Sequence, residues 1–263
     1  EPTPHTCPSC SSDNLSFLGF GTQKVEGALA EYLPDMRVMR MDADTTGGKQ
    51  SYDRMIDDFR SGNHDILLGT QMVAKGHDFP RVTLVGVVLA DTSLYLSDFR
   101  ASEKTFSLLT QVIGRAGRAS DNGTAVIQTY SPKHEIIKLA CTQNYDEFYR
   151  GEIEIRRSLT YPPFCDMVQL TVTGSVEREV LAASAELSEA IISRIKGEYS
   201  SLPFTVFGPF EAQVYRVNEK YRMRMVVKCR LNRDSRKLFH ELLCLFSEKR
   251  NVSLAIDLNP LTV

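Results

Sequence analysis

The chain has 263 residues, 42% hydrophobic and 24% charged, with a net charge of −2: the composition of an ordinary globular protein long enough for two cores. No run of about eighteen apolar residues occurs, which excludes a membrane-spanning helix, and the near-neutral balance excludes wholesale coating of nucleic acid. The N-terminal EPTPHTCPSC has neither the apolar core of a signal peptide nor an initiator Met, so a fragment or processed product is expected.

From about 17 to 130 strands and helices alternate. FLGF (17–20) reads as a short strand, and Thr22 as the cap of a helix carrying Val25, Leu29 and Leu33. MRVMRM (36–41) is a strand, followed by a helix with Tyr52, Met55, Ile56 and Phe59 at helical spacing. DILLG (65–69) and VTLVGVVLA (82–90) follow. The second has no polar alternation and predicts a strand covered on both faces. A helix over 102–114 ends at Gly114 and Gly117, as a C-cap requires, and AVIQTY (125–130) closes the series. Such alternation means a parallel α/β sheet.

Near 150 the pattern changes. A charged helical connector stops at Pro162-Pro163. Beyond it come a strand (167–174), a helix with Val180, Leu187, Ile191 and Ile195 on one face, a strand around 204–208 and a strand pair over about 213–230. A helix with Leu238, Leu242, Leu245 and Phe246 precedes a last strand (252–258). The order is β-α-β-β-α-β, which predicts a split-βαβ α+β domain with helices on one face of a mixed sheet.

Four segments carry chemistry. In QVIGRAGR (111–118), Arg115 and Arg118 stand three apart among glycines at a helix end. That suits a phosphoryl group, and equally a surface ion-pair cluster where a helix C-terminus favours cations. No phosphate loop accompanies them: ADTTGGKQ (43–50) has Ala43 for the first Gly and Gln50 for the hydroxyl, and reads as a turn. A polar loop after a strand, with Thr70, Gln71, Lys75, Gly76 and Asp78, can grip a phosphate backbone or be an ordinary connection; Thr45 and Thr46 hold an equivalent rim position. CPSC places Cys7 and Cys10 as a C-x₂-C knuckle, half a zinc site, a redox pair or nothing. The other four cysteines (Cys141, Cys165, Cys229, Cys244) stand singly and read as reduced, buried small hydrophobes of a cytosolic protein.

The fourth segment is basic. Residues 214–237 hold nine basic side chains against Glu219 and Asp234, a local balance of +7 that includes Arg216 and Lys220. In YRMRMVVKCR (221–230), alternation puts Tyr221, Met223, Met225, Val227 and Cys229 on one face and Arg222, Arg224, Lys228 and Arg230 on the other. A row of cations roughly 6–7 Å apart suits successive phosphates, with Tyr215 as a stacking ring. A solvated outer face or a protected sheet edge explains the same pattern.

GTQMVAKGHDFP followed by DFRASEKTFSLLTQVIGRAGR closely resembles the second motor lobe of superfamily 2 helicases. With CPSC, RMDADTT, LTYPPF and GPFEAQVYRVNEKYR in order, nearly the whole chain is similar to the PriA family of bacterial primosomal helicases. The resemblance implies a RecA-like helicase lobe at 17–140, a helical connector at 141–162 and a DNA-binding C-terminal domain at 163–263. Residues 1–16 would trail a zinc-binding insertion whose other Zn²⁺ ligands lie upstream. It implies that ATP and Mg²⁺ sit between this lobe and a preceding one that supplies the phosphate loop, so that the chain alone is half a motor and inactive. Gln111, Gly114, Arg115, Gly117 and Arg118 would face the nucleotide, with Arg118 as the arginine finger. Thr70, Lys75 and Asp78 would couple nucleotide to DNA, Asp78 on the nucleotide side. The implied activity is ATP-dependent 3′→5′ unwinding at stalled or branched forks and primosome assembly. The implied partners are forked DNA, single-stranded DNA-binding protein and helicase-loading proteins, with a cytoplasmic, nucleoid-associated location. Two other readings stand beside it: a different superfamily 2 translocase, and a catalytically silent DNA- and protein-binding module.

Overall fold

A computed structural model describes residues 6, 12, 21–42, 49–70, 79–116 and 123–261. The chain forms two compact units, one of residues 1–95 and 104–144 and one of 96–103 and 145–263.

In the first unit, α1 (Thr22–Tyr32) leads to β1 (Val38–Met41), α2 (Lys49–Ser61), β2 (Ile66–Gly69), β3 (Leu84–Val87), α3 (Ala101–Ile113, its first turn in the second unit), β4 (Thr124–Ile127) and α4 (Glu135–Cys141). β1 pairs with β2 and β3 with β4, both parallel, with Val38 opposite Ile66 and Leu84 opposite Thr124. The α/β class expected from the alternation is therefore present, as two parallel pairs among the described residues. Met39 and Met41 of β1 are buried against Ile56 of α2 and Phe79.

Three local expectations are corrected. Gly21 is the N-cap of α1, and the Thr22 hydroxyl donates instead to the buried Asp42 carboxylate at 2.6 Å, which also meets Arg40 at 3.1 Å. A hydroxyl with a buried carboxylate in reach gains more there than from a solvated backbone N–H. The apolar run at 82–90 is not covered on both faces, since Leu84 is 63% exposed. An apolar run reports tolerance of burial, not the presence of a covering layer. At the end of α3 no left-handed residue appears at Gly114; the chain leaves by i→i−3 turns, Arg115 N–H to Val112 and Ala116 N–H to Ile113, both 3.1 Å. The strand expected at 17–20 and the cap role of Gly117 lie outside the described residues.

The second unit contains α5 (Tyr145–Ser158), β5 (Asp166–Gly174), α6 (Glu177–Lys196), β6 (Thr205–Val217), β7 (Lys220–Cys229), α7 (Arg233–Ser247) and β8 (Val252–Leu258). The sheet order is β6-β7-β5-β8. All three pairings are antiparallel, so the expected mixed sheet is corrected. The hairpin return of β7 inserts it between β5 and β6, and the strands that run parallel never become neighbours. One face of the sheet packs on α6 and α7. Val168, Leu170 and Val172 of β5 and Met225 and Val227 of β7 meet Val180, Leu187 and Ile191 of α6 and Leu238, Leu242 and Phe246 of α7. Leu245, expected in this stripe, is 37% exposed, and Phe239 is buried instead. Asn232 caps α7 in a capping box, its Oδ1 accepting from Ser235 N–H while Ser235 Oγ accepts from Asn232 N–H, both 2.8 Å.

The separate strand at 204–208 and the first strand of the later pair are one element, β6, broken by register shifts. Phe207 lies opposite Val226 and Phe210 opposite Arg224, so three steps on β6 match two on β7. Gly208, at φ +100°, occupies the irregularity, a backbone conformation that favours glycine.

Candidate nucleic-acid interface

The site expected for nucleotide is described in part. Gln111 is exposed on the last turn of α3, and Gly114 and Arg115 follow it half-buried. Thr70 is exposed immediately after β2. Gly117, Arg118, Asp78, Gln71, Lys75, Thr45, Cys7 and Cys10 lie outside the described residues. Among the described residues no group of three or more His, Cys, Asp or Glu is placed to hold a metal ion, and no helix is long and apolar enough to cross a membrane. Of the single cysteines, Cys165 and Cys229 are buried as expected. Burial raises the Cys165 thiol and pushes Cys229 up to about 12. Cys141 and Cys244 are exposed, which corrects that expectation; an exposed helix position does not require burial of a small thiol.

The basic strand is described throughout. β7 sits between β6 and β5, and its odd-numbered side chains fill the core against the helices. The other face is not an uninterrupted cation row. Val226 stands in its middle, 6% exposed, in a separate apolar cluster with Cys165 and Met167, against which Phe99 and Tyr161 pack. Phe99 and Tyr161 are stacked, 5.0 Å between ring centroids and 6° between planes. Arg222, Arg224 and Lys228 are half-buried, while Arg216, Lys220 and Arg230 are exposed.

Two of the β7 cations on this face, Arg224 and Lys228, lie on aromatic rings. The Lys228 ammonium is 3.7 Å from the Tyr161 centroid and 5.4 Å from that of Phe207, and donates to the Leu159 carbonyl at 2.8 Å. The Arg224 guanidinium is 5.1 Å from the Phe210 centroid, and its Nε is buried with no hydrogen-bond partner. Arg100 lies 4.7 Å over Phe99. Neither Arg224 nor Lys228 makes an ion pair among the described residues. Partial burial lowers the Lys228 pKa by disfavouring its charged form. A cation held on a ring keeps most of its field for an incoming anion, unlike one neutralised by a carboxylate.

At the hairpin end, Arg216 lies 5.2 Å over Tyr221, and Tyr221 meets Tyr215 edge-on at 5.5 Å. Tyr215 is not free to stack on a base. Its hydroxyl donates to Glu177 at 2.8 Å, a bond that with partial burial pushes its pKa up to about 12, and its ring packs on the core.

Sequence reasoning missed four aromatics on this face: Phe99, Tyr161, Phe207 and Phe210. Phe207 and Phe210 are three apart, which alternation assigns to opposite faces. The register shift brings both to the face of Arg224 and Val226. The Gly208-Pro209 pair inside the strand was the available signal of such a shift.

Residues 14–120 match the helicase conserved C-terminal domain, and residues 157–261 match the primosomal protein N C-terminal domain. Curated relatives named replication restart protein PriA include one from Bacillus subtilis, 43% identical over 99% of this chain and 32% of its own length. One from Synechocystis is 42% identical over 87% of this chain and 27% of its own, and one from Chlamydia pneumoniae is 34% identical over 98% and 34%. The chain thus spans about a third of the length of these relatives. Two adjoining domain matches in one chain, with relatives aligned across both, place it in a single lineage: the chain belongs to the PriA family.

Proposed function

We propose that this chain is the second RecA-like lobe (17–140), connector (141–162) and split-βαβ DNA-binding domain (163–263) of an ATP-dependent 3′→5′ DNA helicase that restarts replication at stalled or branched forks. The first unit contributes Arg118 and Arg115 to the phosphates of ATP and Mg²⁺ held by a lobe outside this chain, with Gln111, Gly114, Gly117 and Asp78 beside the nucleotide. Thr45, Thr70, Gln71 and Lys75 contact the DNA backbone. Cys7 and Cys10 complete a zinc site with ligands elsewhere in the longer protein. The second unit holds DNA on the outer face of β7 through Arg216, Lys220, Arg222, Arg224, Lys228 and Arg230. Single-stranded DNA-binding protein and helicase-loading proteins are the partners at the fork, and the protein works in the cytoplasm on the nucleoid.

Catalysis on this reading is electrostatic. Guanidinium groups stabilise charge on the transferring phosphoryl group only when two lobes close on the nucleotide. The chain alone therefore hydrolyses no ATP but still binds DNA.

The observation that carries the DNA-binding part is the outer face of β7, where the half-buried Arg224 and Lys228 rest on aromatic rings instead of carboxylates. Its test is binding of forked duplex DNA by this chain across a series of salt concentrations. Arg222→Ala and Arg230→Ala should each weaken binding and reduce the slope of log K against log salt by about 1. A chain that binds no DNA, or whose slope both variants leave unchanged, overturns the assignment.

A further inference from the structure

On the outer face of the second unit's sheet lies a cavity of about 480 Å³. Phe207 and Phe210 of β6, Val226 and Lys228 of β7, and Phe99 and Tyr161 form its working surface. The volume falls in the range of roughly 300–1,000 Å³ typical of small-ligand sites. Phe207 and Phe210 remain 41% and 36% exposed, apolar ring surface that Arg224 and Lys228 leave partly open.

We infer that this cavity takes one unpaired base of a branched DNA, stacked on Phe207 and Phe210, with the flanking phosphates on Arg224 and Lys228. The inference rests on the DNA-binding reading of β7 given above.

Three features favour a nucleotide. First, ring and cation alternate on the surface: Phe210 carries Arg224 at 5.1 Å, and Lys228 lies between Tyr161 and Phe207 at 3.7 and 5.4 Å. A nucleotide chain offers a flat ring and a negative charge in every repeat, so both components meet a partner at once. Second, the half-buried Arg224 makes no ion pair among the described residues, so its positive charge is not neutralised by a carboxylate and is left for a phosphate. Third, the basic strand continues beyond the cavity on both sides, to Arg222 and to Arg230, roughly 6–7 Å per two residues. A binder of an apolar side chain alone has no use for that row.

The lining also contains one acid, Asp98. Its Oδ1 accepts from Arg100 N–H at 2.9 Å, at the start of α3, so it is committed to the chain's own backbone.

A paired base is stacked within the duplex and cannot enter without being extruded, which costs a few kcal/mol. Unpaired nucleotides at a branch enter freely. The cavity therefore discriminates branched from fully paired DNA by a base contact, where the cation row contributes affinity to both.

The test is a double-mutant cycle on this chain, using a fork with one unpaired nucleotide at the junction and the same fork with an abasic residue at that position. The readout is equilibrium binding, with the junction base replaced by 2-aminopurine in a parallel series to report stacking. The Phe207→Ala and Phe210→Ala variants should each bind the intact fork roughly 5- to 100-fold more weakly. They should leave the salt slope unchanged and bind the abasic fork as the unmodified chain does. Phe210→Trp should retain affinity and quench 2-aminopurine at least as strongly, which also guards against loss through misfolding. Equal binding of intact and abasic forks by the unmodified chain overturns the base contact outright, whatever the variants do. If Arg222→Ala and Arg230→Ala weaken binding while the abasic fork binds normally, the cation face stands and the base pocket does not. If none of these changes matters, both fail. Loss of binding to an acidic, aromatic-bearing peptide on Phe207→Ala, with fork binding intact, assigns the cavity to a protein partner and likewise overturns the proposal.

Discussion

The Lys228 ammonium lies 3.7 Å from the centroid of the Tyr161 ring, and that ring is itself stacked on Phe99 at 5.0 Å. A cation on the strand's outer face is thereby tied to a residue just before the sheet and to one from the distant segment 96–103. Tyr161→Leu keeps apolar area over Val226 but removes both the ring stack and the cation's partner. The expected cost is about 1–2 kcal/mol in the stability of the second unit. Denaturant unfolding followed by circular dichroism measures it, and an unchanged midpoint would mean that the stack is decorative.

The capping box at Asn232 makes a sharper local prediction. Two reciprocal 2.8 Å bonds satisfy backbone donors at the start of α7, a helix whose Leu238 and Leu242 are fully buried in the core. Asn232→Ala should destabilise the domain by about 1 kcal/mol. Asn232→Asp, which keeps the acceptor and adds favourable charge at a helix N-terminus, should be near neutral. Equal losses for the two substitutions would contradict the capping role.

At alkaline pH the Tyr215–Glu177 pair sets a signature. The folded pKa of Tyr215 is pushed up to about 12 by the hydrogen bond to Glu177 and by partial burial. A group whose folded pKa is raised stabilises fully below its unfolded pKa, about 10 for tyrosine. That contribution fades as pH rises from about 10 through the folded value. Tyrosinate absorbance at pH near 11 should therefore show Tyr215 still protonated, beside Tyr199, which burial and its bond to Glu241 also raise. Tyr215→Phe should remove one late-titrating ring and lessen the alkaline fall in stability. Titration of Tyr215 with the exposed rings would refute the pairing.

Most of the architecture was legible in the residues. Alternation of period 2 in YRMRMVVKCR and the helical stripe of Val180, Leu187 and Ile191 identify β7 and α6 directly, and both are present with those faces inward. What escaped was set by register and by layers. The shift at Gly208 turns Phe210 onto the face of Phe207, and no count of alternating positions reveals a bulge. Val226 stands between Arg224 and Lys228 on a face that alternation marks as cationic, yet it anchors the apolar cluster beneath the stacked rings. Thr22 matched a capping pattern, but a buried carboxylate twenty residues on claimed its hydroxyl. In each case a partner distant in sequence outweighed the local rule.

The central claim concerns a motor, and ATP hydrolysis tests it most directly. The measurement is turnover by the longer protein containing the preceding lobe, with and without forked DNA, beside its Arg118→Ala variant and this chain alone. The account predicts fork-stimulated turnover, a loss of roughly 10³- to 10⁵-fold in the variant, and none from the isolated chain. Turnover that survives Arg118→Ala unchanged, or that forked DNA fails to stimulate, would contradict it.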